Sequence, residues 1–562
     1  MRQHQSYVQG STETALLENT IGNYFDTIVE RHPDNIAVIC HEENVRYTWA
    51  ELQSRVDHLA IGLLSTGLQK GDRLALWAPN RAEWLVVQLA SAKAGLILVN
   101  INPASRSSEL KDQLNAVSAT ALILQHRFKS SHYVDMVAQI LPEILVQDSG
   151  TLQGEQIPSL RHVMVLGPTA RHSADATAYP QAVIEINSII DKGASAEQMV
   201  LGVFANDIQA SEPCNIQFSS AAGTEAAPVT LSHHNILNNG FFIGETIKLT
   251  RNDKICLPVP LFHCFGMVMG NLACISHGST MVYPAASFDP LATLEVIQKE
   301  HCTGVYGVPA MFIGMLEQPG FAEFKLDSLR TGIMAGAPCP SHVMQQVIDN
   351  MHMHEVVIAY GMTESSPVSF MSDPATPIER RVSTVGTVMP HVEAKVITGN
   401  GLTAPLGESG ELCVRGYHLM QGYWERPELT AAVIDEQGWL HTGDLAVFDE
   451  QGFCRIVGNA KDMIIRGGEN IYLAEVATYL NRHPAIDKLH LIGVPDSRMG
   501  EELCACVLLR PGHSLTEAEL RHFCQDQIAH YKIPRHLRIY DVFPEGDTTQ
   551  IRQQLADDFA KH

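Results

Sequence analysis

The sequence predicts an α/β fold divided into more than one domain, on three observations. The chain has 562 residues, more than one hydrophobic core accommodates, so several domains or subdomains are expected. Short apolar runs alternate with helical patterns over most of its length, the rhythm of parallel sheets with helices on both faces. From about residue 380 that rhythm gives way to short strands broken by Gly and Pro, and the last hundred residues have a mixed texture of their own.

Taken in order, LALWAPN (74–80) reads as a strand, EWLVVQLASAKAG (83–95) as a helix and LILVNINP (96–103) as the next strand. Strand-like runs recur at TALILQH (120–126), KICLPVPL (254–261), TMVYPA (280–285), GVYGVP (304–309) and EVVIAYG (355–361). NIQFSSAAGTEAAPVTLSHHN (215–235) reads as strand, loop, then an amphipathic helix opened by Ser232. STVGTVMPHVEAKVI, GESGELCVRG and FCRIVG, between 383 and 458, form a small β-rich subdomain. AEVATYLNRHPAI, LHLIGVPD, CACVLLR and LTEAELRHFCQDQIA form a compact α+β unit. The boundary falls near 458–461, which gives a large N-terminal domain over 1–458 and a small C-terminal domain over 459–562.

Composition excludes some functions. A formal net charge of −23 with no basic block argues against nucleic acid or an anionic membrane surface as partner. No stretch approaches the ~18–20 continuous apolar residues that span a bilayer. The polar opening MRQHQSYVQGSTET lacks a secretory core, so a cytoplasmic protein is expected. Twelve cysteines are sparse and irregular, as for free thiols in a reducing compartment. Cys504-Ala505-Cys506 reads as strand core, and His352 and His354 as solvated side chains rather than metal ligands.

Some short segments carry chemistry. Thr363-Glu364 follows an apolar strand and a glycine, at the strand end where parallel sheets place ligands. Asp444 in HTGDL is a carboxylate suited to accept from two hydroxyls. Gly336-Ala337-Pro338 is a run of small residues that permits close approach to backbone. YGMTESSP (360–367), GWLHTGDLAVFDEQGF (438–453) and KDMIIRGGENIY (461–472) resemble signature segments of the AMP-forming, acyl-adenylating enzymes: acyl-CoA synthetases, adenylation domains and luciferases. The resemblance runs from about residue 20 to the end, and medium-chain fatty-acyl-CoA ligases are nearest in texture.

The resemblance implies a large domain of two doubly wound sheets plus the β-rich subdomain, followed by a small mobile α+β domain. It implies that a carboxylate and ATP give acyl-AMP, after which the small domain swings and the pantetheine thiol of CoA attacks. On this pattern Glu364 would ligate Mg²⁺ across the phosphates, a hard cation that favours carboxylate oxygen. Asp444 would hold the ribose, Gly336, Ala337 and Pro338 would edge the adenine, Tyr360 would stack on it, and Gly361 and Thr363 would complete the nucleotide wall. His263 in PLFHCFGM resembles a histidine near the acyl group, with a core histidine as the alternative. Leu257–Met269 and Gly304–Met315 are the expected acyl wall. Lys461 resembles the hinge, and Gly467, Gly468 and Glu469 the loop lining a pantetheine tunnel. ATP or AMP, Mg²⁺, and CoA or a phosphopantetheine arm are the implied cofactors. A small carboxylate or acyl group, an acyl carrier or partner enzyme, and an oligomer are the implied partners.

The departures from the pattern are specific. Where related ligases read TSGTTGKPKG, the lysine position is Ala227 and the glycines fall at Ala221, Thr224 and Pro228, with an added acid at Glu225. The second lysine, in a segment resembling FPMTVTGKIRK, is Gln550, and the arginine of a GRxKD hinge segment is Asn459. Each lost donor aimed at developing charge is worth about 2.7–4 kcal/mol. A derived enzyme keeping only acyl transfer, a non-catalytic pseudo-ligase, and a ligase with compensating residues all remain open on sequence grounds.

Overall fold

The computed structural model describes residues 5–167, 179–196, 207–219, 226–337, 339–459, 463–544 and 548–561. Two large sheets dominate the first 424 residues. An eight-stranded sheet runs in the order Val183–Glu185, His162–Leu166, Ala121–Gln125, Arg73–Trp77, Ile97–Ile101, Pro213–Ser219, Ala227–Ser232, Gly422–Tyr423. Its strands are parallel through Pro213–Ser219, and the last two pairings are antiparallel. A nine-stranded sheet has a parallel centre built from Ile36–Cys40, Thr280–Tyr283, Lys254–Cys256, Gly304–Gly307, Thr331–Ala335 and Glu355–Gly361. The alternating reading of the sequence is therefore correct, although only Lys254–Cys256 of KICLPVPL is strand.

The helices between the sheets are apolar on most faces because both faces are covered. In Ala82–Lys93 nearly every side chain is buried, including Trp84 and Leu85. Helix starts follow local chemistry: Thr48 and Glu51 form a reciprocal cap on Trp49–Ser65, and Ser232 and Asn235 one on His233–Thr246. The helix His233–Thr246 is buried almost all round, so its expected amphipathic character is not observed. Nor does it follow the loop directly. Ala227–Ser232 is a strand that folds back on Pro213–Ser219, so the layout is strand, loop, strand, helix. APVTLS carries Pro228 yet still pairs, with Pro228 opposite Phe218 and its carbonyl accepting from Trp424 N–H.

A five-stranded antiparallel sheet of Tyr7–Gln9, Val392–Ile397, Gly410–Gly416, Leu440–Phe448 and Cys454–Asn459 forms the β-rich subdomain. The small C-terminal domain is a second five-stranded sheet centred on Gly500–Leu509. Period-two alternation sorts its sides. Leu503, Ala505 and Val507 pack with Val476 and Leu520 on one face, while Cys504 and Cys506 pack with Leu555 and Ile551 on the other. All twelve cysteines are unpaired, and Cys504 and Cys506 are strand core as expected. His352 and His354 are exposed. Among the described residues no helix is long and apolar enough to cross a membrane.

Candidate functional site

The parallel strands of both sheets end at one place, where the small domain also docks. Two side-chain amides hold the segment that carries His263 through three hydrogen bonds. Asn80 Nδ2 donates to the Val259 carbonyl at 2.8 Å, Leu261 N–H donates to Asn80 Oδ1 at 2.8 Å, and Asn100 Nδ2 donates to the Phe262 carbonyl at 2.8 Å. The chain then enters a π-helical stretch, Phe265–Leu272, a geometry that recurs at functional sites. Phe265 N–H donates to His263 Nδ1 at 3.2 Å, which places the ring proton on Nε2. Burial lowers the His263 pKa to about 4, so the ring is neutral at physiological pH.

A cavity of about 690 Å³ opens beside it. Ala335, Gly336 and Ala337 line it from one strand end, and Tyr360, Gly361, Met362, Thr363 and Glu364 from the next. Gly336 takes φ +81°, and an added Cβ would stand 3.3 Å from Val308 Cγ1, so a side chain there would be strained and crowded. The β-rich subdomain contributes Thr442, Asp444 and Arg455. Tyr360 hydroxyl donates to Asp444 Oδ2, and burial together with that carboxylate raises the Tyr360 pKa. Glu364 is 1 % exposed, and its Oε1 accepts from Tyr423 hydroxyl at 3.0 Å. Tyr423 sits in the short strand paired with Ala227–Ser232, so the hairpin and Glu364 are tied together. Of the expected acyl wall, His263, Cys264, Phe265 and Met269 line the cavity, whereas Val308 stands behind Gly336 and Gly468.

The small domain closes the cavity with Met463, Ile465, Gly468 and Glu501. Gly467 and Gly468 form the turn between the strands Met463–Arg466 and Glu469–Tyr472. A second, polar chamber of about 100 Å³ shares Ser219, His263 and Thr363 with the cavity and runs along the domain junction. Asn100, Asn102, Gln113 and Gln217 line it from the large domain, and Glu469, Glu475, Tyr531 and Lys532 from the small one. Lys532 Nζ bonds Glu475 Oε1 at 2.6 Å and, across the junction, Glu109 Oε1 at 3.1 Å. Asn102 Nδ2 donates to Tyr531 hydroxyl at 3.3 Å, also across the junction.

The altered positions divide. Ala227 is 3 % exposed and lies opposite Ser219 in the hairpin, so both side chains project to one face. Ser219 lines both spaces, whereas Ala227 lines neither and packs in the hydrophobic core. Asn459 ends the strand paired with Leu440–Phe448, opposite Asp444 in register; its side chain lies outside the described part. Gln550 falls in the helix Thr548–Phe559, and its side chain also lies outside it. Its neighbour Ile551 packs on the Cys504 and Cys506 face of the small domain. Lys461, Pro338, Ala221, Thr224 and Glu225 lie outside the described residues.

Sequence reasoning missed Arg455 and the amides of the chamber. A signal was available for the amides: Asn100 and Gln217 interrupt apolar strands, and both are buried, at 3 % and 4 % exposed. Asn215 Nδ2 donates to Asn100 Oδ1 at 2.9 Å, and Asn215 Oδ1 accepts from Gln217 Nε2 at 3.0 Å, forming one buried network across two strands.

Two sheets meeting at a shared strand-end site, closed by a small α+β domain, define a protein of the acyl-adenylating fold. The chain belongs to the AMP-binding enzyme family, whose pattern residues 25–424 match, and residues 475–549 match the AMP-binding enzyme C-terminal domain. It is 40% identical over 564 residues to the mitochondrial medium-chain acyl-CoA ligase ACSF2 of Mus musculus, covering 99% of this chain and 90% of the relative. It is 41% identical over 541 residues to the putative acyl-CoA synthetase YngI of Bacillus subtilis, covering 96% of each. Among solved structures it resembles o-succinylbenzoate CoA synthetase of Bacillus subtilis bound with a product analogue, at TM-score 0.77, 23% identity, and 96% and 99% coverage. It also resembles ATP-bound MatB of Rhodopseudomonas palustris, at TM-score 0.65, 24% identity, and 96% and 99% coverage. The chain is thus acyl-CoA-ligase-like in sequence and fold.

Proposed function

We propose that this protein transfers an activated acyl group to a pantetheine thiol and that its ATP-dependent adenylation is weak. The observation that carries the proposal is the contrast between a closed junction and an emptied phosphate hairpin. Gly468 and Glu469 of the small domain stand at the cavity and chamber, the arrangement acyl transfer requires, while the position at which the family pattern carries a lysine is Ala227, a buried methyl that lines neither space. Lys532 is a poor substitute, because Glu109 and Glu475 already hold its ammonium.

In this reading Asp444 accepts from the ribose hydroxyls, the Gly336–Ala337 edge takes the adenine and Tyr360 flanks it. The 690 Å³ cavity, with Phe265, Met269 and Cys264 in its wall, suits an aliphatic or aromatic acyl chain, in keeping with the medium-chain specificity named for the relatives. Thr363 and Glu364 offer oxygen donors at the cavity wall, which fits Mg²⁺ held at one edge with phosphate and water completing its shell. When bound, that ion neutralises phosphate charge. His263, neutral and donating from Nε2, is placed to orient the acyl carbonyl between cavity and chamber. The hinge lies near Lys461, dividing 1–458 from 459–562.

ATP–pyrophosphate exchange over a panel of fatty and aromatic acids, followed by synthetic acyl-AMP with CoA, tests the proposal. Weak exchange with clear thioester formation is expected. Robust exchange refutes the weak-adenylation half. Absence of thioester refutes the transfer half and leaves a binding scaffold.

A further inference from the structure

We infer that Glu469 is the general base that takes the proton from the attacking thiol. The inference deepens the acyl-transfer reading and rests on it.

Elimination among the groups facing the chamber leads to Glu469. An attacking thiol must lose its proton, and a base within the chamber would have to accept it. His263 cannot, because Nδ1 already accepts from Phe265 N–H and Nε2 carries the ring proton. Lys532 is an ammonium locked between two carboxylates, and those carboxylates, Glu109 and Glu475, are committed to it. Tyr531 is a buried phenol whose ionisation burial opposes strongly. Asn100, Asn102, Gln113 and Gln217 do not titrate in this range. Glu469 remains. It lines the same chamber as His263, and among the described residues no donor reaches its carboxylate.

A half-buried carboxylate that accepts no hydrogen bond among the described residues is costly, which a base awaiting a proton explains. Burial raises its pKa to about 7, partly offset by the Lys532 ammonium nearby, and so poises it near neutral pH. The turn supports the same role. Gly468 sits against Val308, and the next residue is Glu469, so docking of the small domain itself delivers the base. In the step, the S–H bond breaks and its proton passes to a Glu469 oxygen. The sulfur forms a bond to the acyl carbonyl carbon, the bond from that carbon to the phosphate oxygen breaks, and AMP leaves with the electron pair. Glu469 then returns the proton to solvent along the chamber.

Single-turnover thioester formation from synthetic acyl-AMP and CoA, followed from pH 5.5 to 9.5, tests the inference. Wild-type protein should show a rate rising through an apparent pKa near 7. Glu469→Gln should lower the rate at pH 7 by about 10²-fold or more, and its remaining activity should rise only toward thiol ionisation, near 8.5. Glu469→Asp, which keeps the carboxylate, should retain the lower limb at reduced rate and controls for folding. If Glu469→Gln keeps both the rate and the limb near 7, the base assignment is wrong while the acyl-transfer reading stands. If wild-type protein forms no thioester, the acyl-transfer reading fails, and the base falls with it.

Discussion

Replacing Gly468 by alanine should slow acyl transfer by about 30- to 1,000-fold. The glycine takes φ +89°, and a Cβ built there would lie 2.5 Å from Val308 Cγ1 and 3.1 Å from its Cβ and Cγ2. The left-handed backbone alone costs an L-residue about 1–2 kcal/mol. Crowding of a packed contact adds about 1–3 kcal/mol, of which a turn of the Val308 methyls relieves part. The net of about 2–4 kcal/mol acts only when the turn is docked, and each 1.4 kcal/mol is tenfold in the docked population. Single-turnover reaction of acyl-AMP with CoA reads that population directly. Val308→Ala in the same chain removes the two nearest methyls and should recover about tenfold, leaving the backbone part. Gly468→Ala at wild-type rate, or a double variant no faster than Gly468→Ala, would refute the claim that this contact seats the small domain at the cavity.

Ala227→Lys with Gln550→Lys should raise ATP–pyrophosphate exchange by about 10²-fold or more, because each restored cation is worth a comparable factor; no gain from the pair means that charge is not the main defect. Lys532→Met should remove the ammonium that lies between Glu109 and Glu475. Both carboxylates are partly exposed, so loss of up to about 3 kcal/mol is expected, seen as faster proteolysis at the junction and slower acyl transfer. Stability should also depend on pH through Glu469. Its pKa is raised from 4.5 to about 7, so the docked state holds its proton more tightly than the open chain. The charged form is therefore penalised, and docking should weaken as pH rises from about 4.5 through 7, by about 3 kcal/mol in all. Glu469→Gln should abolish that decline in hydrogen-exchange protection at the junction, matching wild-type protein near pH 4 and exceeding it near pH 8.

Much of this fold was legible because apolar runs of strand length alternate with longer helical ones, and each parallel strand so read forms. The Ala227–Ser232 strand was not legible for a physical reason. Its six residues follow a run of small side chains and contain Pro228, a residue that argues against an interior strand. Pairing with Pro213–Ser219 overrides that local preference. The same override hides the amphipathic pattern of His233–Thr246, whose polar Asn235, Asn238 and Asn239 are buried and bonded rather than solvated. For the site, Glu364, Asp444, Tyr360 and the Gly336 edge line one cavity; the family resemblance grouped them, and no local pattern would have done so. The chamber was hidden because it is assembled from both sides of the junction. Asn102 and Tyr531 are 429 residues apart, and no local pattern links them.

The placement of the changed and retained groups also bears on the choice between a transferase and an inert scaffold. On the family pattern, the altered positions Ala227 and Gln550 would both concern charge at the reacting phosphates, and Ile551, beside Gln550, is packed on the side of the small-domain sheet that carries Cys504 and Cys506. The features that face the junction are of another kind. They include a left-handed turn pressed on Val308, a carboxylate that no donor reaches among the described residues, and a lysine bridging two domains. Each is unfavourable or demanding for stability alone: an alternative residue at 469 that does not ionise would make docking stronger at neutral pH, and a turn without positive φ would fold more readily. A scaffold selected only to hold its shape gains nothing from either feature. A site that must open for an acyl-adenylate, close on it and remove a proton there requires both.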